Sequence, residues 1–330
     1  MEKVIKKFNH RPGCHCGSTA LANLAGFHGH KLSEAMCFGL GSGLGFFFYK
    51  DERISPSRML NGRTIFLEPA FFKNIGVEFQ WREGDIFPWK EMKEWVDRDI
   101  PVIILTDLYH LDYYDTNTHF TGHAVVLAGY REREGGALLA DTEREGLQRT
   151  SLESLALAMS SGAQPYPLRN YWREIPYFEI SELPSAIWIA LVENGRAMLN
   201  PFSDWVGLPA MELFSRDLAT WVDAGDWQWC ARFAYQVIEK RGTGGSGFRN
   251  LYAAYLKEAE KLLPALGEMC AGQRMEEVAR KWTQLAALFY EISVNGPGNF
   301  PRAAKLAAEI AALEKSFFID ISQLPPPVAR

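Results

Sequence analysis

The run His15-Cys16-Gly17-Ser18-Thr19-Ala20-Leu21 sets a thiol at the mouth of an apolar helix. A cysteine there lies near the positive end of the helix macrodipole and beside first-turn N–H groups that have no intrahelical partner. Both favour thiolate over thiol. Gly17 leaves room for a substrate carbonyl, and the Cys16 N–H is placed to donate to an oxyanion as the sulfur attacks. The chemistry this arrangement suits is acyl transfer through a covalent thioester. The same residues also describe a small, inert thiol opening a core helix, so Cys16 alone does not decide the matter.

A nucleophilic sulfur needs a base. His123 opens the apolar run 124–130, and Asp141 closes the returning run 137–140, with a turn over 131–136 between them. Strands rise about 3.3 Å per residue, so the two side chains fall at one end of a hairpin, within a few residues of register. A carboxylate there fixes the imidazole tautomer and stabilises imidazolium. Taken as a pair, they also fit two polar residues marking strand ends. The order of the three, a cysteine at a helix start and then histidine and aspartate on a later hairpin, is more specific than any one of them.

Other candidates sit around these three. Glu34 is placed to orient an acceptor amine or hold the glycine loop that follows; beside Ala35-Met36 it also reads as a buried, hydrogen-bonded carboxylate. Asp107 ends a core strand and is a candidate for acceptor binding or for supporting His123, with a turn residue as the alternative. The glycine run over 39–45 lacks the Lys-Ser/Thr of a phosphate loop and the dinucleotide spacing, which argues for close backbone packing. No metal site is expected. Cys14 and Cys16 with His28 and His30 do not match zinc-module spacing, and His119 and His123 lack the glutamate of H-E-x-x-H.

These residues need a scaffold. Residues 17–30 carry a helical apolar pattern that Gly29 could cap, and 32–38 forms a second short helix with Ser33 as N-cap. Residues 46–49 read as a buried strand, 102–105 as another, and 124–130 as a strand covered on both faces. From about residue 150 the pattern turns helical. Pro184 stands where an N1 proline belongs, and helices follow at 210–223, 226–241, 248–271, 273–294 and 300–315, with Pro264 expected to kink or split the third. The class is α+β, with a catalytic domain over 1–150 and an all-helical companion, able to act as a lid, over 151–330.

The chain has 330 residues, 47% apolar and 23% charged, an ordinary globular balance. Its 35 basic and 40 acidic residues give a formal charge of −5, which speaks against a nucleic-acid binder relying on phosphate neutralisation. No apolar run is long enough to span a bilayer and the N-terminus lacks signal-peptide character, so the expectation is a cytoplasmic protein without membrane partners. Five cysteines, an odd number spread through the chain, point to reduced thiols. Oligomeric state is not legible.

His10, Gly13, the 15–21 motif, Ser33-Glu34-Ala35-Met36, Gly39-Leu40-Gly41-Ser42-Gly43-Leu44-Gly45-Phe46, Gly122-His123-Ala124-Val125-Val126 and Ala140-Asp141 together resemble the butirosin-biosynthesis acyltransferase (H protein) family. The N-terminal domain of that family is related to papain-like, bacteriocin-processing peptidases. The glycine-rich stretch 241–252 resembles part of its accompanying helical domain. The resemblance implies a papain-like, cysteine-protease-type domain, with the nucleophile on its N-terminal helix and an antiparallel sheet. It also implies transfer of an acyl group from the phosphopantetheine thioester of an acyl carrier protein to a small-molecule amine in secondary-metabolite biosynthesis, with no bound cofactor.

By the same resemblance Cys16 is the nucleophile, His123 the general base and acid, and Asp141 its orienter. His10 falls where the related peptidases keep an oxyanion-hole glutamine, a role it would share with the Cys16 N–H; a structural histidine is the alternative. The resemblance favours Arg249 as a substrate contact able to pair with phosphate or carboxylate; a solvent-facing arginine in a flexible helix–helix connection is the alternative. A basic dock for an acidic carrier is sought at Arg274, Arg280 and Lys281. Two rival functions use the same residues: a cysteine hydrolase, and a non-catalytic binding module on the same scaffold.

Overall fold

A computed structural model describes residues 2–164 and 166–327. In chain order the elements are β1 (Glu2–Val4), α1 (Cys16–Phe27), α2 (Glu34–Leu40), β2 (Leu44–Lys50), β3 (Arg58–Arg63) and α3 (Leu67–Asn74). Next come α4 (Trp89–Asp97), β4 (Val102–Asp107), β5 (Thr121–Arg131), β6 (Gly136–Ala140), β7 (Leu147–Ser151), α5 (Leu152–Met159) and β8 (Trp172–Glu174). The helices α6 (Leu183–Leu199), α7 (Gly207–Asp217), α8 (Trp227–Glu239) and α9 (Arg249–Ala259) lead to α10 (Pro264–Glu268), α11 (Ala271–Asn295) and α12 (Phe300–Ser322). The class is α+β with an antiparallel sheet, as the sequence led one to expect. Among the described residues no helix is long and apolar enough to cross a membrane.

The chain divides into two compact units, one of residues 1–37 with 77–181, the other of 38–76 with 182–330. This differs from the expected break at 150 and from an all-helical second part. Residues 152–174 stay with the first unit because β8 pairs with β4 (Val102↔Glu174) and Leu155, Ala158 and Met159 enter its core. Residues 38–76 belong to the second unit because β2 and β3 form their own hairpin, whose Phe46 and Phe48 rings pack on Phe214 at 5.5 Å each. Strand pairing and ring packing across such separations leave no local trace in a sequence.

The first unit is built on an antiparallel sheet of order β7-β6-β5-β4-β8, with β1 also paired to β5. Val102, Ile104, Val125, Leu127, Ala137 and Leu139 alternate along three neighbouring strands. They bury one face against Met92 and Val96 of α4 and Leu155, Ala158 and Met159 of α5. The helix α1 packs on β5, and its Leu21, Leu24 and Ala25 have no exposed surface. Each leucine so buried contributes about 2 kcal/mol, which holds the helix and its first residue against the sheet. His28 is its C-cap and Gly29 follows at φ +91°, so the helix ends earlier than its apolar pattern. Ser33 caps α2 as expected, its Oγ accepting from Met36 N at 2.9 Å.

In the second unit the helix expected over 248–271 is split into α9 and α10, with Pro264 opening α10. Gly39 lies in α2 where a Cβ would overlap the Tyr255 ring. Only glycine permits that approach, which explains this part of the glycine run without a nucleotide.

Candidate active site

Cys16 is the first residue of α1, and its turn is built by two neighbours. His15 is the N-cap in extended conformation (φ −121°, ψ 131°), and its Nδ1 accepts from Ser18 N at 3.3 Å. Glu34 receives the backbone N–H groups of Cys14 (3.0 and 3.1 Å) and His15 (2.8 Å) and the hydroxyls of Ser18 (3.0 Å) and Thr19 (3.2 Å). Gly13 is required beside them, because a Cβ there would overlap Thr19 Oγ1 and come within 2.7 Å of Glu34 Oε2. Ser18 N and Thr19 N are returned to His15. The Cys16 and Gly17 N–H groups, at the open end of the helix, are those able to receive an oxyanion.

The partner pair comes from the sheet. His123 lies opposite Thr106 of β4, and Asp141 follows Ala140, which pairs with Val126 of the same strand as His123. His123 Nε2 donates to Asp141 Oδ1 at 2.6 Å, which leaves Nδ1 for the cysteine. The second carboxylate oxygen, Oδ2, accepts from the Tyr113 hydroxyl at 2.7 Å, and Thr142 N donates to Oδ1 at 2.6 Å. The Thr142 carbonyl in turn accepts from Gly13 N at 2.7 Å, tying the strand end that bears the aspartate to the turn that bears the thiol.

The electrostatics follow from this geometry. Burial opposes ionisation of Cys16, but the electrostatic influence of His15 and hydrogen bonds with His123 and His15 outweigh it, bringing the thiol well below its ordinary range. Burial likewise opposes the His123 imidazolium, yet the Asp141 carboxylate and the Cys16 sulfur raise it to about 10. Asp141 is also penalised by burial and is nonetheless held below its usual value by His123, Tyr113 and the Thr142 N–H. These shifts all favour a thiolate at Cys16 and an imidazolium at His123 beside an ionised Asp141. Cys16 keeps 8% of its surface, and its thiol lies within hydrogen-bond reach of His123 and His15.

Residues 153–321 match the domain of unknown function DUF4872, more than half of the chain. The chain belongs to that family. Residues 15–142 match the N-terminal region of butirosin biosynthesis protein H, so the resemblance carried by the N-terminal motifs holds. Cys16, His123 and Asp141 all fall inside that butirosin-H region, and Arg249 falls in the DUF4872 region. No curated protein matches the chain. Among solved structures, a C39-like peptidase from Bacillus anthracis aligns over 54% of this chain and 100% of its own, at 13% identity and a TM-score of 0.37. That likeness is too distant to carry chemistry across.

The remaining candidates of the butirosin-H region sit in local hydrogen-bond networks. His10 accepts from Asn23 Nδ2 at 3.2 Å on one ring nitrogen and donates to the Arg144 carbonyl at 2.9 Å with the other. Both ring nitrogens are engaged in these bonds, an arrangement that suits a structural histidine better than an oxyanion donor. Glu34 turns both oxygens to the backbone N–H groups before Cys16 and so anchors that turn. Asp107 pairs with His119 Nδ1 at 2.6 Å, with Ser161 Oγ at 2.7 Å and with two backbone N–H groups, so it does not support His123.

In the DUF4872 region Arg249 has no exposed surface. Its guanidinium grips Glu314 through two 2.8 Å bonds and donates to the carbonyls of Gly62 (2.9 Å) and Gly247 (2.7 Å). The expected substrate contact is corrected to a buried structural clamp. Of the three dock candidates, Arg274 is paired with Asp320 at 2.7 Å and Lys281 with Glu309 at 3.3 Å. Tyr113 and His15 are not among the sequence candidates. The role of Tyr113 depends on a loop bringing it to Asp141, whereas His15, directly before the thiol and at an N-cap, carries a readable signal.

Proposed function

We propose that the chain is a cysteine-dependent acyltransferase that moves an acyl group from a thioester to an amine through acyl-Cys16. The observation that carries this reading is the placement of Cys16 at the start of α1 within hydrogen-bond reach of His123, whose Nε2 is held by Asp141 at 2.6 Å. The Cys16 thiolate attacks the thioester carbonyl, and the oxyanion forms against the N–H groups of Cys16 and Gly17. A donor of this kind is worth about 10²–10³ in rate. The donor C–S bond breaks as His123 protonates the departing thiolate. The amine then attacks acyl-Cys16, His123 takes its proton, the amide leaves, and Cys16 returns as a thiolate. Thioester exchange is nearly balanced in energy, and amide formation drives the second half.

The match to a butirosin biosynthesis protein supports a biosynthetic setting, and with it the phosphopantetheine of an acyl carrier protein as donor and a small amine as acceptor. Tyr114 stands edge-on to the His123 ring at 6.0 Å, and Phe120 flanks it at 6.3 Å. Such aromatic walls help an amine compete with water. The test is product analysis after supplying an acyl thioester with and without amines. Amide formed only with amine and only by protein carrying Cys16 supports transfer. Free acid in both cases replaces transfer by hydrolysis, and function surviving Cys16→Ala replaces it by a binding role.

A further inference from the structure

The end of β4 carries a cluster that the triad does not use. A carboxylate oxygen of Asp107 and one ring nitrogen each of His110 and His119 lie within 4.8 Å of one another. We propose that these three residues form a divalent transition-metal site of the Zn²⁺ type that fastens the loop over 108–120 to the end of β4. Two imidazoles and one carboxylate, with a fourth position for water, are a zinc donor set; Mg²⁺ and Ca²⁺ demand oxygen ligands. The spacing of the three matches none of the zinc motifs weighed from the sequence, because the loop, not a helix period, brings them together.

The geometry needs only small adjustments, the 2.6 Å Asp107–His119 pair opening and the wider separations closing. Ligands about 2.0–2.1 Å from a tetrahedral ion lie about 3.4 Å apart. His110 sits in a single 3-10 turn and His119 in open loop with 45% of its side chain exposed, so both rings are able to turn. Their ring centroids are already 5.8 Å apart. Asp107 supplies the fixed corner. It is fully buried, and Ser161 Oγ (2.7 Å), Phe120 N (2.9 Å) and Tyr109 N (3.2 Å) hold its orientation, the outer-shell support that metal ligands require.

The cation takes the place of the proton now lying between Asp107 Oδ2 and His119 Nδ1, 2.6 Å apart. Their separation widens, and the ring then carries its one proton on Nε2. The loop so fastened includes Tyr113, which holds Asp141. Metal occupancy therefore bears on the orienter without touching the thiolate.

The test is titration of the chelator-stripped full-length protein with Zn²⁺ by calorimetry and with Co²⁺ by absorption. One equivalent is expected in wild type and in Cys16→Ala alike, with Co²⁺ d–d bands and no thiolate charge-transfer band. His110→Gln and His119→Gln, each verified as folded by circular dichroism, are expected to weaken binding about tenfold or more. Hydrogen exchange over 108–120 slows on metal addition in wild type and not in the histidine variants. Binding lost in Cys16→Ala but kept in the histidine variants assigns the ion to the thiolate and overturns the proposal. Binding kept in all three variants, or absent at tens of micromolar Zn²⁺, overturns it too and leaves the cluster a hydrogen-bonded loop clamp.

Discussion

The Tyr113 hydroxyl donates to Asp141 Oδ2 at 2.7 Å, while His123 holds the other carboxylate oxygen. Removing that hydroxyl takes away one hydrogen bond to a charged acceptor, worth about 1.5 kcal/mol. Tyr113→Phe is expected to lower kcat about tenfold with little change in KM. A carboxylate free to turn away from His123 supports the imidazolium less, so the alkaline limb of the pH profile moves to lower pH. A purely structural role would leave that limb in place, and steady-state kinetics across pH separates the two.

Asp141→Asn keeps the shape of the orienter and removes its charge. Activity is expected to fall about 10²–10⁴-fold, as for the corresponding change in a serine triad. The His123 value should drop toward the ordinary histidine range, and NMR titration of the ring measures this directly.

The raised His123 value has a sign for stability. The group gains from being protonated in the fold, so its contribution is complete below the unfolded value near 6.5. It is lost as pH rises through the folded value of about 10. The lowered Cys16 value acts in the opposite sense, so the histidine is best followed in a Cys16→Ala background, where Asp141 alone supports the imidazolium. Urea midpoints should there fall as pH rises above the unfolded histidine value, and stay flatter once His123→Gln is added. Parallel curves would contradict the assignment.

Arg249 and Glu314 pair with no exposed surface on either side chain, and Trp282 Nε1 donates to Glu314 at 2.8 Å. Arg249→Ala leaves the carboxylate buried without its cation and is expected to cost about 3–5 kcal/mol. Replacing both partners by apolar residues of similar size should cost much less. Chemical denaturation of the single and double variants distinguishes this clamp from a substrate contact, which would alter KM and spare stability.

Signals in the chain are readable where the physics is local. Ser33 at a cap, Gly29 past a helix end, Pro264 opening a new helix and the apolar run beginning at His123 each announce themselves. Cys16, His123 and Asp141 can be picked out together because a helix mouth and a hairpin end constrain where side chains go. What escapes depends on distant pairing. The Glu34 carboxylate meets a backbone N–H nineteen residues earlier, at His15. Arg249 meets a carbonyl at Gly62, and β8 returns to β4 with Glu174 opposite Val102. Contacts of that span depend on how the chain returns, which no local period of the sequence records.

A Cys16 thiolate resting beside a protonated His123 is the relationship on which the proposed chemistry turns. Its most direct measurement is the rate of Cys16 alkylation by iodoacetamide as a function of pH, followed by mass spectrometry of the intact protein. Full reactivity is expected to persist well below the ordinary thiol range, and that low-pH reactivity is expected to disappear in His123→Gln. A single titration in the ordinary thiol range, unchanged by His123→Gln, would contradict it.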